Sequence, residues 1–123
     1  MTMDLETLGT LDVVLFLGVL YHLEDPFQAM RRLFEVTSAL CIVESTCIVT
    51  PGMEDHQMWE FFEGAELGED PSNWWAGNGA VLEGLSRAAG FSRAELKTRW
   101  FEDDQGDSQS EIRYDRAVVH AIR

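Results

Sequence analysis

The stretch Asp12-Val-Val-Leu-Phe-Leu-Gly-Val-Leu-Tyr-His-Leu-Glu-Asp-Pro26 decides the architecture. Val13 to Leu17 is an unbroken apolar run, as expected of a strand covered on both faces. Gly18 interrupts it, and Tyr21 and His22 follow. Asp25-Pro26 then reads as a helix start, with Asp25 as N-cap and Pro26 at the first helical position. A buried strand that delivers polar side chains at its carboxyl end and turns into a helix is the unit of a parallel α/β sheet. In such sheets the carboxyl edge is where ligands bind.

Working outward, Phe27, Met30, Leu33 and Phe34 recur at spacings of three and four, which gives the helix one apolar stripe. Arg31, Arg32 and Glu35 take its wet side, and the helix is expected to end near Thr37-Ser38. Leu40 to Glu44 is the next buried strand, extending toward Val49, so strand, helix and strand make a right-handed crossover. Asn78 caps a second helix with Val81, Leu82, Leu85, Ala88 and Ala89 as its buried face, closed by Gly90. Phe91 to Trp100 reads as a strand that partly alternates (Ala94, Leu96, Thr98, Trp100). Glu111 to Ile122 is the last strand, strongest from Tyr114 on. An acidic turn at 102–110 joins these two, which are therefore expected to be antiparallel. The fold class is α/β, with parallel strands and a C-terminal antiparallel hairpin. Between the two halves, residues 50–77 lose periodicity but hold Trp59, Phe61, Phe62, Trp74 and Trp75. Two readings stand for them: a lid or substrate wall at the ligand edge, or a loop whose aromatics cover the sheet.

A chain of 123 residues is one domain at most. Its 9 Lys+Arg against 22 Asp+Glu, a net charge of −13, supply no basic footprint for phosphate backbones, which disfavours nucleic acid. A small neutral or cationic ligand suits that balance, and so does simple solubility. No apolar run approaches the roughly 20 residues of a membrane span. The acidic start Met1-Thr-Met-Asp-Leu-Glu lacks a signal-peptide pattern, so cytoplasmic residence is expected. Cys41 and Cys47 read as buried free thiols, and His22, His56 and His120 are too scattered with them to form a zinc site. No metal is expected.

The order strand-helix-strand-helix-strand-strand resembles the second half of the Rossmann-like class I S-adenosylmethionine-dependent methyltransferase fold. Leu11 to Pro26 resembles the fourth-strand motif of these enzymes. Its core, Gly18-Val-Leu-Tyr-His22, looks like the tRNA uridine-5-oxyacetic acid carboxymethyltransferase branch. Gly68-Glu-Asp-Pro-Ser-Asn-Trp-Trp75, the helix end Ala88-Ala-Gly-Phe91 and Arg116-Ala-Val118 also match that branch. The resemblance covers most of residues 11–123, so the whole chain, 1–123, is expected to be a partial methyltransferase domain with 50–77 as an insertion within it.

The resemblance implies S-adenosyl-L-methionine, or a carboxylated variant, as cofactor, and a small molecule as methyl acceptor. It puts Leu17, Gly18 and Tyr21 beside the cofactor and Arg116 near it. Leu17 is then an apolar wall, and Tyr21 offers a ring to the sulfonium and a hydroxyl for orientation. Arg116 would meet an anionic group, or else pair with Asp115 or another acid. His22 is the candidate acid/base, or a structural histidine bonded to the following turn. Glu44, Asn73, Trp74 and Trp75 fall on the substrate side. The family's first strand and glycine-rich loop, which hold most of the cofactor, find no counterpart in these residues. A tRNA substrate is disfavoured on the same ground and by charge. The strand at 12–17 would then be an apolar edge, expected to pair with a second copy or with a partner chain supplying the other half. Three roles follow: the C-terminal portion of a methyltransferase, a non-catalytic remnant or subunit, or part of a longer product.

Overall fold

The computed structural model describes residues 9–101 and 112–123. The start of the polar lead-in and the acidic turn at 102–110 lie outside them. Along the chain run β1 (Leu11–Leu17), a 3-10 turn (Leu20–His22), α1 (Pro26–Val36), β2 (Thr37–Val49), β3 (Trp59–Phe61), β4 (Trp75–Gly77), α2 (Gly79–Ala89), β5 (Arg93–Phe101) and β6 (Arg113–Ile122).

The helix starts are those expected. The Asp25 carboxylate accepts from the Gln28 amide at 3.0 Å, and Pro26 takes the first helical position without wasting a donor. Asn78 Oδ1 accepts from the Val81 amide at 2.9 Å, and Gly90, at φ +129°, ends α2. The buried face of α2 differs from expectation. Ala88 is exposed and Ser86 is buried, its hydroxyl donating to the Leu82 carbonyl at 2.8 Å. Ala88 stands about 100° round the helix from Ala89, and only the Ala89 side meets the sheet.

β2 is longer than expected. It begins at Thr37 directly after α1 and pairs along both edges. On one edge it runs parallel to β1 (Val14 opposite Cys41, Leu17 opposite Glu44), then to β4 at Cys47–Gly77. On the other it runs antiparallel to β6, and β6 is antiparallel to β5. The order β1-β2-β6-β5, with β4 and β3 continuing the β1 edge, is the expected parallel pair plus closing hairpin. The segment 50–77 is more ordered than its composition suggests, because β3 and β4 join the sheet. The alternation expected in β5 fails at a register shift between Leu96 and Thr98. Past it, Thr98 and Trp100 are exposed.

The sheet is two-faced. On one face Phe16, Cys41, Val43, Cys47, Ala117, Val119 and Ala121 pack against Met30 and Leu33 of α1 and Leu82 and Ala89 of α2. Small residues there let the helices approach closely: Cys41, Cys47, Ala117 and Ala121 are all 0% exposed. The opposite face bears no helix among the described residues. It is covered at one end by Phe62 and Ala76 over Ile48, with Leu67 and Tyr114 against them. Toward β1 it lies open, with Val13 54% and Leu15 63% exposed. No described helix is long and apolar enough to cross a membrane.

Asn78 does more than cap. It also accepts from the Met58 amide at 3.1 Å and donates to the His56 carbonyl at 2.5 Å, tying the 50–58 loop to α2. Asn78→Ala is expected to cost about 2 kcal/mol in urea unfolding, the upper range for a lost cap. Burial pushes both thiols up, from the ordinary 9.0 to about 11. The folded state therefore holds these protons more tightly than the unfolded chain. That stability is complete below the unfolded thiol value and is lost as pH rises through about 11. The urea midpoint should fall over this alkaline window, and less steeply in the Cys41→Ala/Cys47→Ala variant.

Candidate functional site

The site is assembled where β1, β2 and β6 end on the open face. Gly18, at φ +69°, turns the chain out of β1, and its amide donates to the Glu44 carbonyl at 2.9 Å. Glu44 lies opposite Leu17 across β1–β2, and Thr46 lies opposite Arg116 across β2–β6. Alternation sends Glu44, Thr46 and Arg116 to one face of the sheet and Asp115 to the other.

The Arg116 guanidinium is the hub. It donates to Thr46 Oγ1 at 2.9 Å, to Tyr21 Oη at 3.2 Å and to a Glu44 carboxylate oxygen. Its Cζ also stands 5.0 Å from the centre of the Tyr21 ring. The side chains of Arg116 and Glu44 are only 13% and 20% exposed, so the pair is well shielded from water. Burial works to lower the Arg116 pKa, but the hydrogen bonds and charges of Tyr21 and Glu44 outweigh it and raise the value. The acid that meets Arg116 is therefore Glu44. Asp115, the neighbour in sequence, lies on the helix face beside Arg99 at 3.3 Å and Arg113 at 3.5 Å.

His22 does not bond the following turn. Its Nδ1 is 3.0 Å from the Ser72 carbonyl, fifty residues away, and 3.2 Å from the Ser72 hydroxyl. A carbonyl only accepts, so the neutral ring carries its proton on Nδ1 and leaves the Nε2 lone pair available. The Ser72 hydroxyl donates onward to Asp70 at 2.7 Å. Asp70 is held below the usual carboxylate range first by that hydroxyl, then by the Ser72 amide, with a smaller share from His22.

Ser72 to Trp75 clasps the turn after β1. Besides the His22 contact, the Trp74 amide donates to the Tyr21 carbonyl at 2.7 Å, and the Trp75 indole donates to the Glu24 carbonyl at 3.3 Å. Trp74 stacks on Phe61 at 6.3 Å between centroids, and Trp75 meets Trp59 and Phe61. Asn73 points inward instead. It is 7% exposed and its Nδ2 donates to the Leu67 carbonyl at 2.8 Å, while Oδ1 has no hydrogen-bond partner. A second tie fastens the insertion to the sheet, the Tyr114 hydroxyl donating to Glu60.

The structure thus joins Leu17, Gly18, Tyr21, Glu44 and Arg116 in one cluster, with His22, Trp74 and Trp75 along its rim. Asn73 sits behind that rim. Sequence reasoning missed Thr46, Ser72 and Glu60. Thr46 had one legible signal, its position two residues beyond Glu44 on the same strand face. Beside the cluster, a largely apolar groove of about 610 Å³ runs between the outer edge of β1 and α1, lined by Val14, Leu17, Val19, Leu23 and Leu33 among others. Among the described residues no group of His, Cys, Asp and Glu is placed to hold a metal.

No protein-family model and no curated protein matches the chain. Solved structures do. The N-terminal domain of EvdMO1, in the presence of SAH and D-fucose, aligns over 99% of this chain and 52% of its own, at 22% identity and a TM-score of 0.61. The same domain with SAH bound aligns equally well, with 50% of its length covered. A provisionally named O-methyltransferase from Nostoc punctiforme PCC 73102 aligns over 94% of this chain and 32% of its own, at 16% identity and a TM-score of 0.52. The chain spans about half the length of the EvdMO1 domain it matches. It has a partial methyltransferase fold.

Proposed function

We propose that the chain is the C-terminal portion of an S-adenosylmethionine-dependent methyltransferase domain that methylates a small molecule. The observation that carries this reading is the joining of Leu17, Gly18, Tyr21 and Arg116 at the carboxyl end of β1. These positions were picked out by resemblance alone, and they lie within one cluster at the sheet edge where such folds bind ligands. The SAH-bound neighbours of the same fold support the cofactor.

The residues present fit that cofactor in part. A side chain at Gly18 would start 3.7 Å from Arg116 and 3.8 Å from the Tyr21 hydroxyl, so glycine keeps the turn open next to both. Leu17, half exposed, offers an apolar wall. Tyr21 presents a ring to a cation, and Arg116 fixes its hydroxyl. The cofactor supplies an activated methyl group for direct displacement. The chain's own part is to orient and to move a proton. With Nδ1 committed to Ser72, His22 Nε2 takes the acceptor's proton, which suits a hydroxyl acceptor. Trp74 and Trp75 wall the acceptor side and exclude water. Alignment does most of the remaining work. The site resembles the carboxymethyltransferase branch, but the acidity of the chain argues for a small acceptor rather than tRNA. Free buried thiols accord with a cytoplasmic setting.

Calorimetric titration of S-adenosylmethionine into the purified chain tests this. Micromolar binding is expected, weakened at least about tenfold in Tyr21→Ala with the fold intact. Absence of binding by the folded chain would overturn the reading. In a binding-competent form, His22→Ala should lower kcat by about a hundredfold or more and leave cofactor affinity unchanged.

A second reading is favoured by the open face and free outer edge of β1, where Leu11, Val13, Leu15 and Leu17 are exposed together. Such a surface suits a subunit completed by pairing. Sedimentation equilibrium should then show association that Leu15→Lys abolishes; a monomeric wild-type chain at high concentration would count against it.

A further inference from the structure

We infer that Glu44 sets the charge selectivity of the site, admitting the ordinary sulfonium cofactor and rejecting a ligand with an added anionic group at Arg116. The inference rests on the functional reading above and deepens it.

An arginine on a ligand-facing sheet edge invites an anion. Here the anion is already built in. Arg116 spends its donors on Glu44, Tyr21 and Thr46, and the two charged side chains are shielded from solvent. The pair is anchored from both sides. Glu44 is held by its backbone bond to Gly18 and its place opposite Leu17, and Arg116 by Thr46 across the β2–β6 pair. Neither charge leaves easily, because an abandoned partner in that setting would stay unpaired and poorly hydrated. A ligand carboxylate brought to Arg116 would share one guanidinium with Glu44, two like charges in a weakly screened site. A sulfonium at the Tyr21 ring meets the opposite situation. Its positive charge faces the aromatic face and the Glu44 carboxylate, and Arg116 is already neutralised. Glu44 is thus a selectivity residue for the methyl-donor end of the site.

Calorimetry on the whole chain with S-adenosylmethionine and with its carboxylated variant separates the possibilities. The wild type is expected to bind the ordinary form at least about tenfold more tightly, the equivalent of about 1.4 kcal/mol. Glu44→Gln frees the guanidinium, and should bring the two ligands to within about threefold by strengthening binding of the carboxylated form. Glu44→Asp, which keeps the charge, should keep the preference. Equal affinity of the wild type for both ligands, or a Glu44→Gln variant that stays selective, overturns the inference and leaves the function reading standing. Binding of neither ligand by the folded wild type overturns the function reading, and the inference with it. The wild-type comparison needs no variant to fold.

Discussion

The structure depends on hydrogen bonding along both edges of β2. It pairs parallel with β1 and β4 on one side and antiparallel with β6 on the other, from Leu40 to Val49. A strand paired on both edges leaves little backbone unsatisfied and must bury at least one face. Cys41, Val43, Ser45, Cys47 and Val49 line that buried face, where α1 and α2 complete a dry core. Glu44 and Thr46 fall on the other face by the same alternation. One strand therefore organises both the core and the candidate site.

The Arg116–Glu44 pair exploits that division. On the helix face such a pair would sit among cysteines and alanines, at a large desolvation cost. On the open face it keeps some water and gains neutral partners in Thr46 and Tyr21. It also ties three segments distant in sequence, the turn after β1, the middle of β2 and the heart of β6. Gly18 matters because the turn must pass close to this cluster in a left-handed conformation that other residues adopt only with strain.

The insertion between β2 and α2 is bound to the sheet rather than draped over it. β3 and β4 extend the β1 edge, the Ser72–Trp75 segment holds the Tyr21–Glu24 turn, and Tyr114 reaches Glu60 from β6. Its aromatic residues consequently border the cluster. The orphaned Asn73 Oδ1 is a local cost within this otherwise well-bonded segment.

Sequence by itself determined the elements whose cause is local. The apolar run before Gly18, the Asp25-Pro26 and Asn78 caps, the Gly90 stop and the antiparallel closing hairpin follow from periodicity, capping chemistry and turn residues over a few positions. The fold was legible for the same reason, and the motif residues of the site with it. Tertiary structure alone decided their partners. That Arg116 meets Glu44 and not adjacent Asp115, that His22 finds Ser72, and that Ser86 is buried in place of Ala88 depend on register and on which face each strand or helix turns inward. Two short strands in 50–77 were hidden because three-residue strands carry no periodicity. They exist only where the end of β2 offers a pairing edge, and that offer is made by the assembled sheet.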